Sequence, residues 1–170
     1  MEQKIIADVY RLGLLIHFFT VEEVIHWVDH YIEKNDVKDI PFAFFDLSLT
    51  KDRGRAIELL SQISHGYKGA LSIQILLGLV YHNWNDANAK SIINEVHQLA
   101  SLMNTDLLLS GTLMALVDQY EEALKGYGNP RICEHVRKEY EREAIEEIKD
   151  VLAHYETDAM LWVNAEDSMR

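Results

Sequence analysis

The sequence predicts an all-α protein, arranged as a compact antiparallel helical bundle of about six or seven helices. Its 170 residues include only two prolines and eight glycines, too few for the many tight turns of a β-sandwich or barrel. Hydrophobic residues make up 48% of the chain and charged residues 26%, which is the balance of a globular protein. We expect one helical domain over residues 1–170, with residues 157–170 as a partly docked C-terminal tail.

The first two helices are predicted from apolar spacing and from a capping motif. Residues 4–18 carry apolar side chains at helical intervals. In "TVEE", the Thr20 hydroxyl is placed to accept a first-turn backbone N–H while Glu23 reaches back to the Thr20 amide. Thr20 therefore begins a second helix, which runs to about Lys34. Its core-facing residues are predicted to be Val21, Val24, Ile25, Val28 and Ile32.

The next two helices are predicted from a proline and from a polar cap. Pro41 occupies a favoured first position and begins the short apolar segment "PFAFFDLSL". Its core anchors are expected to be Phe42, Phe44 and Phe45. Thr50 or Asp52 caps the following helix through "GRAIELLSQIS", which the two glycines of "HGYKG" end.

The second half of the chain contains two segments that are apolar all round, residues 70–81 and 106–117. Such helices are typically buried, so we expect these two at the centre, with Gly78 and Gly111 allowing close helix approach. An amphipathic helix lies between them, capped by Asn85 or Asp86. The last long helix begins at Asn129 and Pro130 and runs to about residue 155, and apolar residues around Trp162 dock after it.

Charge and cysteine content narrow the classes of function. The formal net charge of −12 would repel a phosphate backbone, so we expect no nucleic-acid partner. An acidic surface steers a basic protein partner towards it, or keeps the chain soluble. The one cysteine, Cys133, excludes an intramolecular disulfide and is predicted to be buried and structural. With no signal peptide or membrane-spanning segment in the sequence, we expect a soluble cytoplasmic protein without a membrane partner.

The stretch "VEEVIHWVDHYIEKND" raises the question of a metal site. His26 and His30 stand four residues apart and could share a zinc ion with a nearby carboxylate. The residue after His26 is Trp27, where a metalloprotease helix has its glutamate base. The other interpretation is a charged outer helix face that meets a partner. The residues of that face are Glu22, His26, Asp29 and Glu33.

A second cluster of aromatic and polar side chains lies in "YHNWND". Tyr81, Trp84 and Asp86 are of the types found at protein interfaces, and we include them among the predicted partner-binding residues. The alternative interpretation is that they seal one end of the bundle. The phosphate-binding loops and nucleophile motifs of common enzyme families do not occur in the sequence. We therefore predict no catalytic residues and no cofactor.

The stretch "VEEVIHWVDHYIEKNDVKDIPFAFFDLSL" resembles the opening of small uncharacterised bacterial helical proteins, in which a helix with a Trp and an Asp leads into a "DLSL"-type segment. The small, acidic, helical chain is also similar in style to immunity proteins of bacterial toxin systems, and that resemblance implies a cognate toxin as partner. The leading hypothesis is a non-enzymatic protein-binding module, of the immunity type, for a basic protein. The alternatives are a metal-dependent enzyme using His26 and His30, and a structural subunit that associates with itself.

Overall fold

The computed structural model is all-helical, which confirms the predicted fold class. The structure describes residues 1–67, 69–85, 87–103, 107–125 and 134–169, with side chains described up to residue 165. Within these ranges the chain forms nine α-helices, one 3-10 turn (Val37–Asp39) and no β-strand. The helices are α1 (Gln3–Leu15), α2 (Val21–Lys34), α3 (Phe42–Leu49), α4 (Arg53–Ile63), α5 (Leu71–His82), α6 (Ala89–Leu102), α7 (Leu107–Lys125), α8 (Glu134–Ala153) and α9 (Glu156–Met169).

The described ranges contain more helices than the six or seven predicted. The segment after Pro41 is a complete helix, α3, and the run predicted as one last long helix with a docked tail is two helices. α8 ends in a turn in which the amides of His154 and Tyr155 donate to the carbonyls of Val151 and Leu152. Apolar residues continue across this turn at nearly helical spacing, so the sequence pattern hides the break. The predicted caps Asn129 and Pro130 lie outside the described residues, and the antiparallel arrangement stays a prediction.

The chain groups into two compact units. Unit 1 comprises Met1–Leu76 and Thr157–Arg170, and unit 2 comprises Leu77–Glu156. Within unit 1, α1 packs on α4, α2 packs on α3, and α3 packs on α4. Within unit 2, α7 packs on both α6 and α8. The prediction of a single domain over residues 1–170 stays a prediction.

Aromatic side chains fill the centre of unit 1. The ring centroid of Tyr10 in α1 lies 5.0 Å from Phe19, 5.1 Å from Trp27 and 4.9 Å from Trp162. Phe44 of α3 continues the cluster, 5.6 Å from Trp27. Each such pair adds about 0.5–1.5 kcal/mol beyond the burial of its apolar area. Because Trp162 is only 2% exposed, α9 contributes its largest side chain to this core.

One buried carboxylate interrupts the apolar core of α1. Asp8 is 2% exposed, and its Oδ1 accepts hydrogen bonds from Nε and Nη2 of Arg11 at 2.9 and 2.7 Å. A buried carboxylate is tolerated when such a pair replaces its hydration. Asp8 and Arg11, the charged residues that interrupt the apolar pattern of α1, therefore form an ion pair with each other.

Histidines in left-handed backbone conformations end both α1 and α4. His17 has φ of +66° and His65 has φ of +51°. After α4, the amide of His65 donates to the Gln62 carbonyl at 3.1 Å and the amide of Gly66 donates to the Ser61 carbonyl at 3.3 Å. This is the Schellman pattern, whose left-handed position is usually a glycine. Gly66 and Gly69, the glycines predicted to end α4, come after this left-handed position, which is occupied by His65.

Replacing the left-handed histidine of α4 tests this geometry. We expect His65→Gly to raise the free energy of unfolding by about 0.5–1 kcal/mol, since relief of about 1–2 kcal/mol of left-handed strain exceeds the extra chain entropy of glycine. The measurement is urea unfolding followed by circular dichroism. The control is Ser61→Gly within α4, which should lower stability by about 0.5 kcal/mol. A destabilised His65→Gly variant would contradict the assigned backbone conformation.

The two segments that are apolar all round behave differently. α5 is buried as expected, with Ile75, Leu76, Leu77 and Val80 fully inaccessible. α7 extends past its predicted end to Lys125, and the expectation that its first half is buried is wrong. Its first two residues, Leu107 and Leu108, are 78% and 84% exposed. A Cβ added at Gly111 would meet no atom of the described residues within 4 Å, so none of the helices described here approaches that position.

No helix in the described ranges is both long enough and apolar enough to cross a lipid bilayer.

Glu95 of α6 is a half-buried carboxylate in unit 2. Burial raises the pKa of Glu95 above its ordinary value of 4.5, although a hydrogen bond from Ser91 partly opposes the shift. That bond is long, with 3.4 Å between Ser91 Oγ and Glu95 Oε1. Among the described residues, the buried Oε2 has no hydrogen-bond donor. The charged form of Glu95 is therefore less favourable in the folded chain than in the unfolded chain.

This shift gives stability a defined dependence on pH. A carboxyl group whose folded-state pKa is raised destabilises the fold above that pKa, and the cost disappears as pH falls below the ordinary value of 4.5. We expect Glu95→Gln to unfold at a higher temperature than wild type at pH 7, with the difference shrinking as the pH is lowered through this range. Glu122→Gln, at an exposed position of α7, changes the net charge equally and is the control. A difference that does not vary with pH would exclude Glu95 as its source.

Candidate partner-binding surface

The capping motif predicted for α2 is confirmed. The Thr20 hydroxyl accepts a hydrogen bond from the Glu23 amide at 3.3 Å. In return, Oε2 of Glu23 accepts a hydrogen bond from the Thr20 amide at 2.7 Å. These reciprocal bonds satisfy two backbone donors that would otherwise have no helical partner. The start of α2 is thus determined by four consecutive residues of the sequence.

The rotation of α2 differs from the predicted one. Its buried residues are Val24, Trp27 and Val28, whereas Ile25 and Ile32, expected in the core, are only half-buried. The reason is aromatic packing. The rings of Trp27 and Tyr31 lie 5.6 and 4.5 Å from the ring of Phe44 in α3. These large side chains turn that side of the helix inward.

The outer face of α2 is acidic, and we call it the acidic face. Its residues Glu22, His26, Asp29 and Glu33 are all exposed. Asp29 also accepts a hydrogen bond from the hydroxyl of Ser48 in α3. This bond joins the edge of the acidic face to α3.

The exposed side of α3 is unexpectedly apolar. Phe42, predicted to be a core anchor, is 88% exposed, and Leu49 is 82% exposed, whereas Phe44 is buried at 2%. Phe42, Asp46 and Leu49 are spaced by four and three residues, so they share one side of the helix, opposite Phe44 and Leu47. We call these three residues the α3 patch. It is the feature of this surface that sequence reasoning missed.

The α3 patch has the composition expected of a contact site. Isolated exposed apolar residues are common on proteins, whereas here an almost fully exposed Phe and Leu lie two turns apart on one side of a single helix. Covering each would stabilise a complex by about 1.5–3 kcal/mol before the costs of association. Asp46 lies between these two residues on the same side of α3, and Asp29 of α2 is hydrogen-bonded to the neighbouring Ser48.

The second predicted cluster, in "YHNWND", already has contacts within unit 2. The Lys149 ammonium of α8 lies 5.3 Å from the centroid of the Trp84 ring, in cation–π range. Tyr81 is half-buried, with its ring 6.1 Å from that of His82. The side-chain oxygen of Asn85 accepts a hydrogen bond from the Asn88 amide at 3.1 Å, which stabilises the turn before α6. Asp86 lies outside the described residues, as does Cys133.

The concave surfaces of the described residues include two with apolar side chains in their lining. One, of about 300 Å³, lies between α6 and α7, with Val117 and Tyr120 in its floor. At its rim, Glu121 bonds to Lys125 at 2.9 Å, and this hydrogen bond and charge lower the pKa of Glu121. The other, of about 290 Å³, lies in unit 1 beside the stacked rings of Tyr31 and Phe44.

The two histidines predicted as metal ligands occupy different environments. His26 is exposed, while His30 is half-buried and its Nε2 has no hydrogen-bond partner among the described residues. In the described ranges, no group of three or more His, Cys, Asp or Glu side chains is arranged to hold a metal ion. Structural zinc sites use four protein ligands and catalytic sites use three. Two imidazoles alone fall short of either set.

Zinc titration tests the metal hypothesis directly. Because the described ligand set is incomplete, we expect zinc to leave the unfolding temperature of wild type unchanged relative to the double variant His26→Ala/His30→Ala. The measurement is differential scanning calorimetry, with bound metal determined by elemental analysis. Stoichiometric zinc that both single substitutions remove would establish a site at these histidines.

Comparison with protein-family models, with curated proteins and with solved structures gave no match to this chain. The chemistry of the acidic face and the α3 patch is therefore the basis for inferring function.

Proposed function

We propose that this chain is a protein-binding module that recognises a basic protein partner through the acidic face of α2 and the α3 patch. The observation that carries the proposal is the exposure of Phe42, at 88%, on a helix hydrogen-bonded to the edge of the acidic face. Apolar anchors surrounded by charge are the usual composition of a specific interface. The partner is expected to offer an apolar recess for Phe42 and Leu49, with Lys or Arg around it.

The two parts of this surface have different roles. Carboxylates on the acidic face raise the rate of encounter with a basic protein. Salt weakens this electrostatic attraction. The apolar anchors of the α3 patch lose water only in the complex, so they slow dissociation. The net charge of −12 extends the attraction beyond the contact itself.

The likeness in style to immunity proteins supports one biological role. In that role the partner is a basic toxin, and binding blocks the toxin by covering its functional surface. No catalytic group is needed for such inhibition. A toxin gene beside the gene for this chain would support the role independently.

Substitutions that separate charge from apolar contact test the proposal. The partner is captured from host lysate on tagged protein at low and high salt, identified by mass, and then purified for titration. We expect Phe42→Ala to weaken binding by about 2 kcal/mol or more, as hot-spot residues do. We expect Glu22→Lys/Glu33→Lys mainly to slow association and to flatten the salt dependence.

One control reproduces the change in net charge at another surface, and a second measurement checks that the substitution leaves folding intact. Glu143→Lys/Glu147→Lys changes the net charge equally at exposed positions of α8 and should leave association nearly unchanged. Phe42→Ala should alter stability by less than about 0.5 kcal/mol, because its side chain is exposed. A partner that binds both Phe42→Ala and Glu22→Lys/Glu33→Lys as tightly as wild type would show that this surface is not its binding site.

A further inference from the structure

The concave surface beside the stacked rings of Tyr31 and Phe44 has a lining that belongs wholly to unit 1. Its described residues come from α1, α2, α3, α4 and the positions that flank these helices, and its volume is about 290 Å³. The two ring centroids lie 4.5 Å apart, and Pro41, Ala43 and Ile63 add further apolar surface. We call this surface the ring pocket. Its volume is at the lower end of the range for small-molecule sites.

A strained backbone position contributes His65 to the ring pocket. Its φ of +51° lies in the left-handed region, at the position after α4 where glycine is usual. A side chain at such a position is less stable than glycine would be. Strain that a fold retains is concentrated at functional sites. The side chain of His65 therefore has a reason to be kept in the ring pocket.

An amide oxygen in the same lining has no partner. Gln3, the first residue of α1, lines the ring pocket. Among the described residues, no donor reaches its buried Oε1, and a buried acceptor without a donor destabilises the fold. Gln3 as a whole is only half-buried, so its side chain can turn towards the pocket. A donor on a bound molecule would then satisfy Oε1.

The charged side chains at the rim pair with each other. Nζ of Lys4 lies 2.8 Å from Oε2 of Glu2. The hydrogen bond and the charge of this pair lower the pKa of Glu2 and raise the pKa of Lys4, so both groups are ionised at neutral pH. A cation therefore finds no unpaired carboxylate in the described lining, and the net charge of −12 repels an anion. This arrangement favours an uncharged ligand.

We infer that the ring pocket binds a small uncharged aromatic molecule, of one or two planar rings, that carries an N–H or O–H donor. The rings of Tyr31 and Phe44 pack against the ligand ring, and Oε1 of Gln3 accepts its hydrogen bond. The described lining contains no residue of the acidic face or of the α3 patch. This site is therefore separate from the proposed binding of a basic protein.

Indole and 1-methylindole are matched test ligands, because both are uncharged two-ring molecules and only indole has an N–H donor. Each is titrated into the full-length chain and followed by two-dimensional NMR, which gives the dissociation constant and the signals that move. We expect saturable one-to-one binding of indole, with the largest shifts at Ala43, Ile63 and His65. Binding of 1-methylindole should be about tenfold weaker, since it leaves Oε1 of Gln3 without a donor. Absence of saturable indole binding, or shifts centred elsewhere, would overturn the inference.

Gln3→Met removes the acceptor and nearly keeps the length of the side chain. We expect this variant to bind indole about tenfold more weakly than wild type does, and to bind 1-methylindole equally well. The control is Gln119→Met, at a half-buried position of α7 in unit 2, which should bind both ligands like wild type. A Gln3→Met chain that still prefers indole by the wild-type ratio would refute the role of Gln3.

His65→Gly separates binding from folding. Because relief of the left-handed strain should stabilise this variant, weaker binding could not be explained by unfolding. Loss of the imidazole from the lining should weaken binding of both ligands severalfold in the same NMR titration. Wild-type affinity in a stabilised His65→Gly chain would show that His65 is not part of the site.

Discussion

The aromatic packing of unit 1 depends on one ring, that of Tyr10, which joins α1, α2 and α9. Tyr10 contacts Phe19, Trp27 and Trp162 at once, and these residues come from the segment after α1, from α2 and from α9. Phe19 can reach this position because residue 13 is glycine, since a Cβ there would overlap the Phe19 ring. The left-handed His17 ends α1 just before this segment. The aromatic core therefore requires both the left-handed turn at His17 and the absence of a side chain at Gly13.

This core decides which side of α2 faces solvent, and so it shapes the candidate surface. Trp27 is held between Tyr10 and Phe44, which leaves Glu22, His26, Asp29 and Glu33 outward. In α3 the same packing buries Phe44 and Leu47, so Phe42 and Leu49 on the opposite side stay in solvent. Exposure of these anchors is the consequence of a helix that is apolar on both sides but covered on one.

Local chemistry made much of the fold predictable. The all-α class, the Thr20 capping box and the buried α5 follow from neighbouring residues or from composition. The failures are non-local. Phe42 and Phe44 are the same residue type two positions apart, and only the rings of α2 distinguish their burial. The exposure of Leu107 has the same explanation, because a helix apolar all round is buried only where other elements cover it.

Exposed charge is unevenly distributed along the described helices. Exposed carboxylates lie on the acidic face of α2, whose edge residue Asp29 is hydrogen-bonded to Ser48 in α3. The first half of α7 carries none, although the chain as a whole has 28 acidic residues against 16 basic ones. Salt screens interactions between exposed charges, so the electrostatic contribution of the acidic face to any contact should fall as ionic strength rises, whereas an uncharged surface is little affected.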